Sequence, residues 1–187
     1  PPEIAKKAID FVIARSGVRH NIEVDFFGGE PLMAWDTVTQ TVDYARSLEE
    51  KYNKKFRFTI TTNGLLLDED KRKYINENMD NCVLSLDGRR EVNDEFRKTV
   101  AGTGSYDTIV PKFQEFVKKR GDKNYYMRGT YTHYNTDFTN DIFHMADLGF
   151  TELSMEPVVC DPSDPSALTE ADLPILCLLY TSPSTRD

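Results

Sequence analysis

Asp25-Phe-Phe-Gly-Gly-Glu-Pro-Leu32 closes a β-rich run that begins at Ile22. The run stops at two glycines, which let the backbone turn sharply and leave no Cβ in the way of a ligand. Glu30 places an anionic acceptor at that turn, and Pro31 opens a helical pattern. A strand end with bare backbone and one carboxylate suits a ligand carrying an ammonium group. A tight strand-to-helix turn with no ligand is the simpler alternative. A phosphate loop is disfavoured, because Glu30 repels phosphate and no lysine follows.

The same strand-then-helix pattern recurs on both sides of this stretch. Pro2 to Arg15 reads as a helix with Ile4, Ala8, Phe11 and Val12 on one face. Met33 to Tyr52 is a long helix carrying Trp35, Val38, Val42 and Ala45 on one side. Phe56 to Thr61 alternates apolar and polar residues as a strand, and Thr62-Asn63-Gly64 closes it as a turn. Asp68 is the expected N-cap of a helix to Asn78. Cys82 to Leu86 is a short strand ended by Asp87-Gly88. Residues 88–104 read as a long charged loop with one helical turn. Tyr106, Ile109, Val110, Phe113, Phe116 and Val117 form the stripe of a helix from Tyr106 to Lys119. Tyr125 to Tyr134 is a strand, Thr139 to Leu148 a helix stopped by Gly149, and Glu152 to Val159 a strand. Thr169-Glu-Ala-Asp begins a last helix.

Strands separated by helices imply an α/β fold with parallel pairing and right-handed crossovers. The unit length suits a barrel or partial barrel, which binds ligands at the carboxyl ends of its strands. Those ends are Gly28–Pro31, Thr61–Gly64, Ser85–Gly88, Arg128–His133 and Glu156–Val159. Thr62 and Asn63 are an ordinary turn or a hydroxyl and amide pair for the same ligand. Ser85 and the backbone of Leu86-Asp87-Gly88 could take a carboxylate or a ribose. Arg128, near the middle of a strand covered on both faces, would need a carboxylate partner. That partner is a ligand, or a structural residue such as Asp25 or Glu156. His20, His133 and His144 have no metal spacing, and Glu69-Asp70-Lys71-Arg72-Lys73 reads as a solvated helix face.

The chain has 187 residues, 39% hydrophobic and 29% charged, which is enough for one domain with a core. A net charge of −8 without a Lys/Arg block points away from nucleic acid. No apolar run of about 18 residues is present, so no membrane partner is expected. Cys82, Cys160 and Cys177 form no CxxC and no disulfide framework. Reduced, mostly buried thiols in a cytoplasmic protein are the plain reading for Cys82 and Cys160. Cys177-Leu-Leu-Tyr-Thr-Ser-Pro-Ser-Thr-Arg-Asp187 continues no earlier periodicity and resembles the translation of a sequencing adapter. We therefore treat 1–176 as the domain and 177–187 as a non-native tail, with the chain expected to be a gene fragment cut at both ends.

An ammonium acceptor, a carboxylate-binding arginine and ribose-contacting groups on successive strand ends describe a site for an amino-acid nucleoside. The ordered series DFFGGEPL, TTNG, SLDG and an Arg-bearing strand resembles the radical S-adenosylmethionine enzymes. SLDGRREVNDEFR, GSYDTIVPKFQEF, NYYMRGTYTHYN and LGFTELSMEPVV are similar to the thioether-forming maturases of six-cysteine peptides. These are relatives of the anaerobic sulfatase maturases, and the resemblance covers residues 1–176.

The resemblance implies a parallel (β/α) partial TIM-type barrel, incomplete because its first strand and C-terminal part are missing. It implies two cofactors, a 4Fe-4S cluster held by a CxxxCxxC loop and S-adenosyl-L-methionine cleaved to a 5′-deoxyadenosyl radical. This chain has no CxxxCxxC, so the cluster cysteines would lie upstream and none of its residues would bind metal. By resemblance, Gly28, Gly29, Glu30 and the adjoining Pro31 form the wall that meets the methionine amino group. Ser85 and Arg128 bind its carboxylate, Thr62 and Asn63 lie near the cofactor, and Glu156 with Pro157 lies near the adenine edge. No catalytic acid or base is assigned. The implied substrate is a ribosomal precursor peptide whose cysteine sulfur is joined to another residue. The alternatives are sulfatase-type oxidation of Cys or Ser to formylglycine, and a noncatalytic barrel fragment that only binds a peptide or amino acid.

Overall fold

Lys55–Thr62 alternates large apolar residues with polar ones, and that alternation organises the first half of the protein. Phe56, Phe58, Ile60 and Thr62 are buried along one face of this strand, β2. Lys55 and Arg57 on the other face are exposed, and Thr59 and Thr61 half-buried. The strand pairs in parallel with β1 (Asn21–Phe26), placing Asn21 opposite Lys55 and Phe26 opposite Ile60. On its other side it pairs in parallel with β3 (Asn81–Ser85), placing Thr59 opposite Asn81 and Thr62 opposite Leu84. A helix precedes each of these strands: α1 (Pro2–Arg15) before β1, α2 (Trp35–Tyr52) before β2, and α3 (Glu69–Asn78) before β3. The computed structural model describes residues 1–181, and the last six positions of the expected tail, 182–187, lie outside the described residues.

These elements belong to the first of two compact units, Pro1–Leu84 with Glu115–Tyr126. Helix ends follow local chemistry. Asp68 caps α3, its carboxylate accepting from the Lys71 amide at 2.9 Å. Asn53 takes a left-handed conformation, φ 51°, to end α2. One expected face is corrected. Ile9 and Ile13 are the buried residues of α1, whereas Ile4 and Phe11 are 61% and 63% exposed. This helix has more apolar residues than one stripe can hold. Ile9 and Ile13, at i and i+4, form a pair as regular as the one inferred from Ile4 and Ala8.

The second unit comprises Ser85–Gln114 and the chain from Met127. Its strands β4 (Tyr126–Tyr131) and β5 (Leu153–Pro157) pair in parallel, Met127 opposite Leu153 and Tyr131 opposite Pro157. Residues 88–104 hold α4 (Arg90–Phe96), longer than the single turn expected. Helix α5 (Tyr106–Arg120) buries Tyr106, Ile109, Val110, Phe113 and Phe116, as its stripe predicts. β4 stops three residues short of Tyr134, because Thr132 and Asn135 cap each other. The Tyr134 amide donates to Thr132 Oγ1 at 3.1 Å, and the Thr132 amide donates to Asn135 Oδ1 at 2.8 Å. His133 thus sits on a 3₁₀ turn rather than a strand. Helix α6 (Thr139–Asp147) is followed by Gly149 at φ 92°. Helix α7 (Leu173–Thr181) starts later than Thr169, because Asp172 folds back to accept from the Thr169 amide and hydroxyl at 2.8 and 2.9 Å. It runs through the boundary drawn at 176/177, and Tyr180 packs its ring 5.3 Å from that of Phe138.

The chain is an α/β protein whose paired strands run parallel. Its caps are separable from its site. Asp68→Ala should cost about 1 kcal/mol, read as a lower urea midpoint at unchanged slope.

Candidate functional site

In the first unit, Gly28 and Gly29 adopt φ of +90° and +52°. A Cβ added to either would meet no atom within 4 Å, so backbone conformation, not crowding, demands glycine here. No hydrogen bond to either carbonyl occurs among the described residues. The neighbouring carboxylate is in the opposite situation. Glu30 Oε1 accepts from the Leu32 amide at 3.0 Å and from Thr62 Oγ1 at 2.9 Å, and Oε2 accepts from the Asn63 amide at 2.8 Å. Thr62 Oγ1 in turn accepts from the Gly64 amide at 3.1 Å, and Asn63 Oδ1 from the Leu65 amide at 3.0 Å. Glu30 therefore joins the end of β1 to the end of β2 and caps the 3₁₀ turn Pro31–Ala34, in which Pro31 is buried. The free anionic acceptor inferred from sequence is engaged by the protein itself. The glycine carbonyls are among the groups left open at this strand end.

In the second unit, Arg128 Nη2 is ion-paired with Glu156 Oε2. Its other guanidinium nitrogens have no partner among the described residues, and neither has the half-buried Ser85 hydroxyl. Arg128 and Glu156 are 40% and 47% exposed. The expectation of a buried arginine is thus corrected, and of its two structural candidates the partner is Glu156, not Asp25. An exposed pair of this kind contributes about 0–1 kcal/mol. The backbone is fixed more firmly. The Leu86 amide donates to the Arg128 carbonyl at 3.0 Å, and Asp87 Oδ1 accepts from the Thr130 amide at 2.9 Å.

Sequence reasoning missed the charges that hold this strand end. Asp87, with its side chain 4% exposed, takes a two-point contact from Arg97 at 2.7 and 2.8 Å. Arg89 reaches the fully buried Asp141 at 2.8 Å and Asp137 at 2.9 Å. The Asp141 carboxylate raises the guanidinium of Arg89 above its already high ordinary value. A Cβ on Gly88 would sit 2.2 Å from Asp141 Cβ, at φ +118°. The sequence signal was the glycine between Asp87 and Arg89, which marks a close approach. The histidines stand apart from these groups. His20 Nδ1 meets the Asn53 carbonyl, and His144 Nε2 the Tyr106 hydroxyl. His133 Nδ1 lies 2.9 Å from Asp172, whose carboxyl is held low by the Thr169 amide and then by His133.

Residues 2–111, more than half of the chain, match the family model of the 4Fe-4S single cluster domain. The chain belongs to that family. Its curated relatives include anaerobic sulfatase-maturating enzymes and a radical SAM cyclopropyl synthase. A cysteine-type anaerobic sulfatase-maturating enzyme of Clostridium novyi is 31% identical over 91 residues, 48% of this chain and 24% of that one. The radical SAM cyclopropyl synthase TigE of Paramaledivibacter caminithermalis is 28% identical over 145 residues, 74% of this chain and 29% of that one. The solved structure of native anSMEcpe with bound AdoMet and the Cp18Cys peptide superposes with a TM-score of 0.83. At 20% identity, over 95% of this chain and 50% of that one, it shows the fold. The chain thus spans about a quarter to a third of these curated relatives.

In a radical S-adenosylmethionine family of this type, the cysteines of this chain do not fit a cluster. Cys82 is buried, and burial pushes its thiol up to about 12. Cys160 is exposed, against expectation, and Cys177 is exposed too, for which no burial was expected. Among the described residues no three His, Cys, Asp or Glu side chains gather around a common metal position. Alkylation checks this: in the folded protein iodoacetamide should label Cys160 and Cys177, and Cys82 only after unfolding. A second measurement addresses the turn. Glu30→Gln turns an amide donor toward an N–H or hydroxyl that now donates to a carboxylate. It should cost about 1.5–3 kcal/mol in denaturant unfolding, and Thr62→Val should add less to it than it costs alone.

Proposed function

We propose that this chain is the S-adenosylmethionine-binding part of a radical enzyme that forms thioether cross-links in a ribosomal, cysteine-rich precursor peptide. The observation that carries the reading is the pair of unengaged donors in the second unit, the Ser85 hydroxyl and the free edge of Arg128. They suit a carboxylate, which a guanidinium edge and a hydroxyl bind with charge-assisted hydrogen bonds. Glu156 holds the other edge of Arg128 and, in this reading, borders the adenine. In the first unit the carbonyls of Gly28 and Gly29 suit an ammonium group, with Glu30, Pro31, Thr62 and Asn63 holding the turn that presents them. Each of these groups occurs in the methionine part of S-adenosylmethionine.

A 4Fe-4S cluster supplies the electron in this family, and its thiolates come, in this reading, from sequence other than these 187 residues. Residues 177–187 are taken as a non-native tail, and the cytoplasm, where thiols stay reduced, as the place of action. A second reading, oxidation of a Cys or Ser side chain to formylglycine, is favoured by the sulfatase-maturating relative.

The full-length protein that carries this chain, reconstituted with iron, sulfide and dithionite, should convert S-adenosylmethionine to 5′-deoxyadenosine. The precursor peptide should become lighter by the mass of a hydrogen pair and stay inert to aldehyde probes. An aldehyde-reactive product would favour the second reading, and the absence of deoxyadenosine would exclude both. The 187-residue chain alone, treated in the same way, should show no thiolate-to-iron charge-transfer absorption.

A further inference from the structure

Asp87 is a buried carboxylate beyond the end of β3, and it costs stability unless its charge is matched. Arg97 matches it through Nε to Oδ2 at 2.7 Å and Nη2 to Oδ1 at 2.8 Å. Oδ1 also accepts the Thr130 amide at 2.9 Å. The side chain thus acts as a ladder acceptor where strand β3 has already stopped at Ser85. One step back, the Leu86 amide donates to the Arg128 carbonyl at 3.0 Å. These two hydrogen bonds flank Gly129, where there is no slack. A Cβ there would lie 2.4 Å from Met155 Sδ, 2.8 Å from the Leu86 carbonyl oxygen and 3.2 Å from Asp87 Cα. Ser85-Leu86-Asp87 and Arg128-Gly129-Thr130 are therefore locked side by side.

We propose that Asp87, clamped by Arg97, is the positioning residue that sets the spacing of the Ser85 hydroxyl and the Arg128 guanidinium for one carboxylate ligand. The proposal rests on the assignment of those two donors under the proposed function. Neither Asp87 nor Arg97 touches the ligand. Their effect passes through the Thr130 amide to the backbone beneath Arg128. A site made of two donors on neighbouring segments binds one anion well only if their separation is held to about half an ångström. The Arg128–Glu156 pair, 40% and 47% exposed, is a weak restraint, whereas the buried Asp87 carboxylate is gripped at two points by Arg97, and displacing that partner would strand a buried charge.

The test compares two ligands on the 187-residue chain by saturation-transfer NMR: S-adenosylmethionine and its decarboxylated analogue, which lacks only the carboxylate. The unaltered chain should prefer the first by about tenfold or more, the scale of one charge-assisted hydrogen bond. Arg97→Lys keeps the charge but loses the two-point grip. It should bring the preference to within about twofold while leaving the circular dichroism and the affinity for the decarboxylated analogue unchanged. An Arg97→Lys chain that keeps the full preference overturns the positioning role. If that variant does not fold, Asp87→Leu with Arg97→Met removes both charges of the pair and takes its place under the same criterion. A chain with no preference before any substitution overturns the Ser85 and Arg128 assignment itself, and the positioning role with it.

Discussion

Three donors converge on the Glu30 carboxylate, and the open glycine turn depends on it. Gly28 and Gly29 have positive φ and open space where a Cβ would stand, so they have no side chain to hold them in place. Such a pair gains freedom in the unfolded state and loses it on folding. The compensation comes from the next residue. Glu30 binds the Leu32 amide ahead of it and, across to the end of β2, the Thr62 hydroxyl and Asn63 amide. Charge-assisted hydrogen bonds of this kind are about twice as strong as neutral ones. The glycine carbonyls stay unengaged beside a carboxylate that accepts three hydrogen bonds.

The strands of the first unit are covered on one face only, and that asymmetry decided what could be read in advance. Fully parallel sheets usually bury both faces and read as continuous apolar runs. Here Phe56, Phe58 and Ile60 alternate with Lys55, Arg57 and Thr59, a pattern that places the strand correctly and also declares an open face. In the second unit β4 alternates in the same way, with Met127, Gly129 and Tyr131 buried and Arg128 and Thr130 half-buried. Assuming both faces covered made Arg128 a buried arginine, and the alternation around it argued otherwise. The elements, the Asp68 cap and the α5 stripe were legible because each is a local signal. The α1 face was not, because Ile9 and Ile13 compete with Ile4 and Phe11 on equal periodicity. The grip of Arg97 on Asp87 and of Arg89 on Asp141 was not legible either. Those partners lie 10 and 52 residues apart, and no local pattern ties them.

Both pairs sit at the same strand end of the second unit. In each the carboxylate is buried and the arginine partly exposed; such a pair adds little net stability over an apolar replacement, but removing the arginine strands a buried charge. It therefore penalises misplacement more than it rewards correct placement. Around Gly88, where a Cβ would fall 2.2 Å from Asp141, and Gly129, where it would fall 2.4 Å from Met155, such intolerance matters. The backbone of Ser85–Arg89 can approach its neighbours closely only if its charges are matched. The segment first read as a possible ligand-binding turn is mostly a device for fixing geometry, with Ser85 as its one unengaged hydroxyl.

This division of labour bears on what family membership can say about substrate. The relatives are named for different reactions, among them a sulfatase-maturating enzyme, a cyclopropyl synthase and an Fe-coproporphyrin III synthase. Groups that receive an ammonium and a carboxylate recognise what such reactions hold in common, not what separates them. Under the proposed function, the Gly28 and Gly29 carbonyls, Ser85 and Arg128 therefore carry little information about the product. On β2 of the first unit, Arg57, Thr59 and Thr61 lie on the less buried face without serving the turn. They are also the positions that packing constrains least, because a half-exposed polar residue can change without opening a cavity or stranding a buried charge.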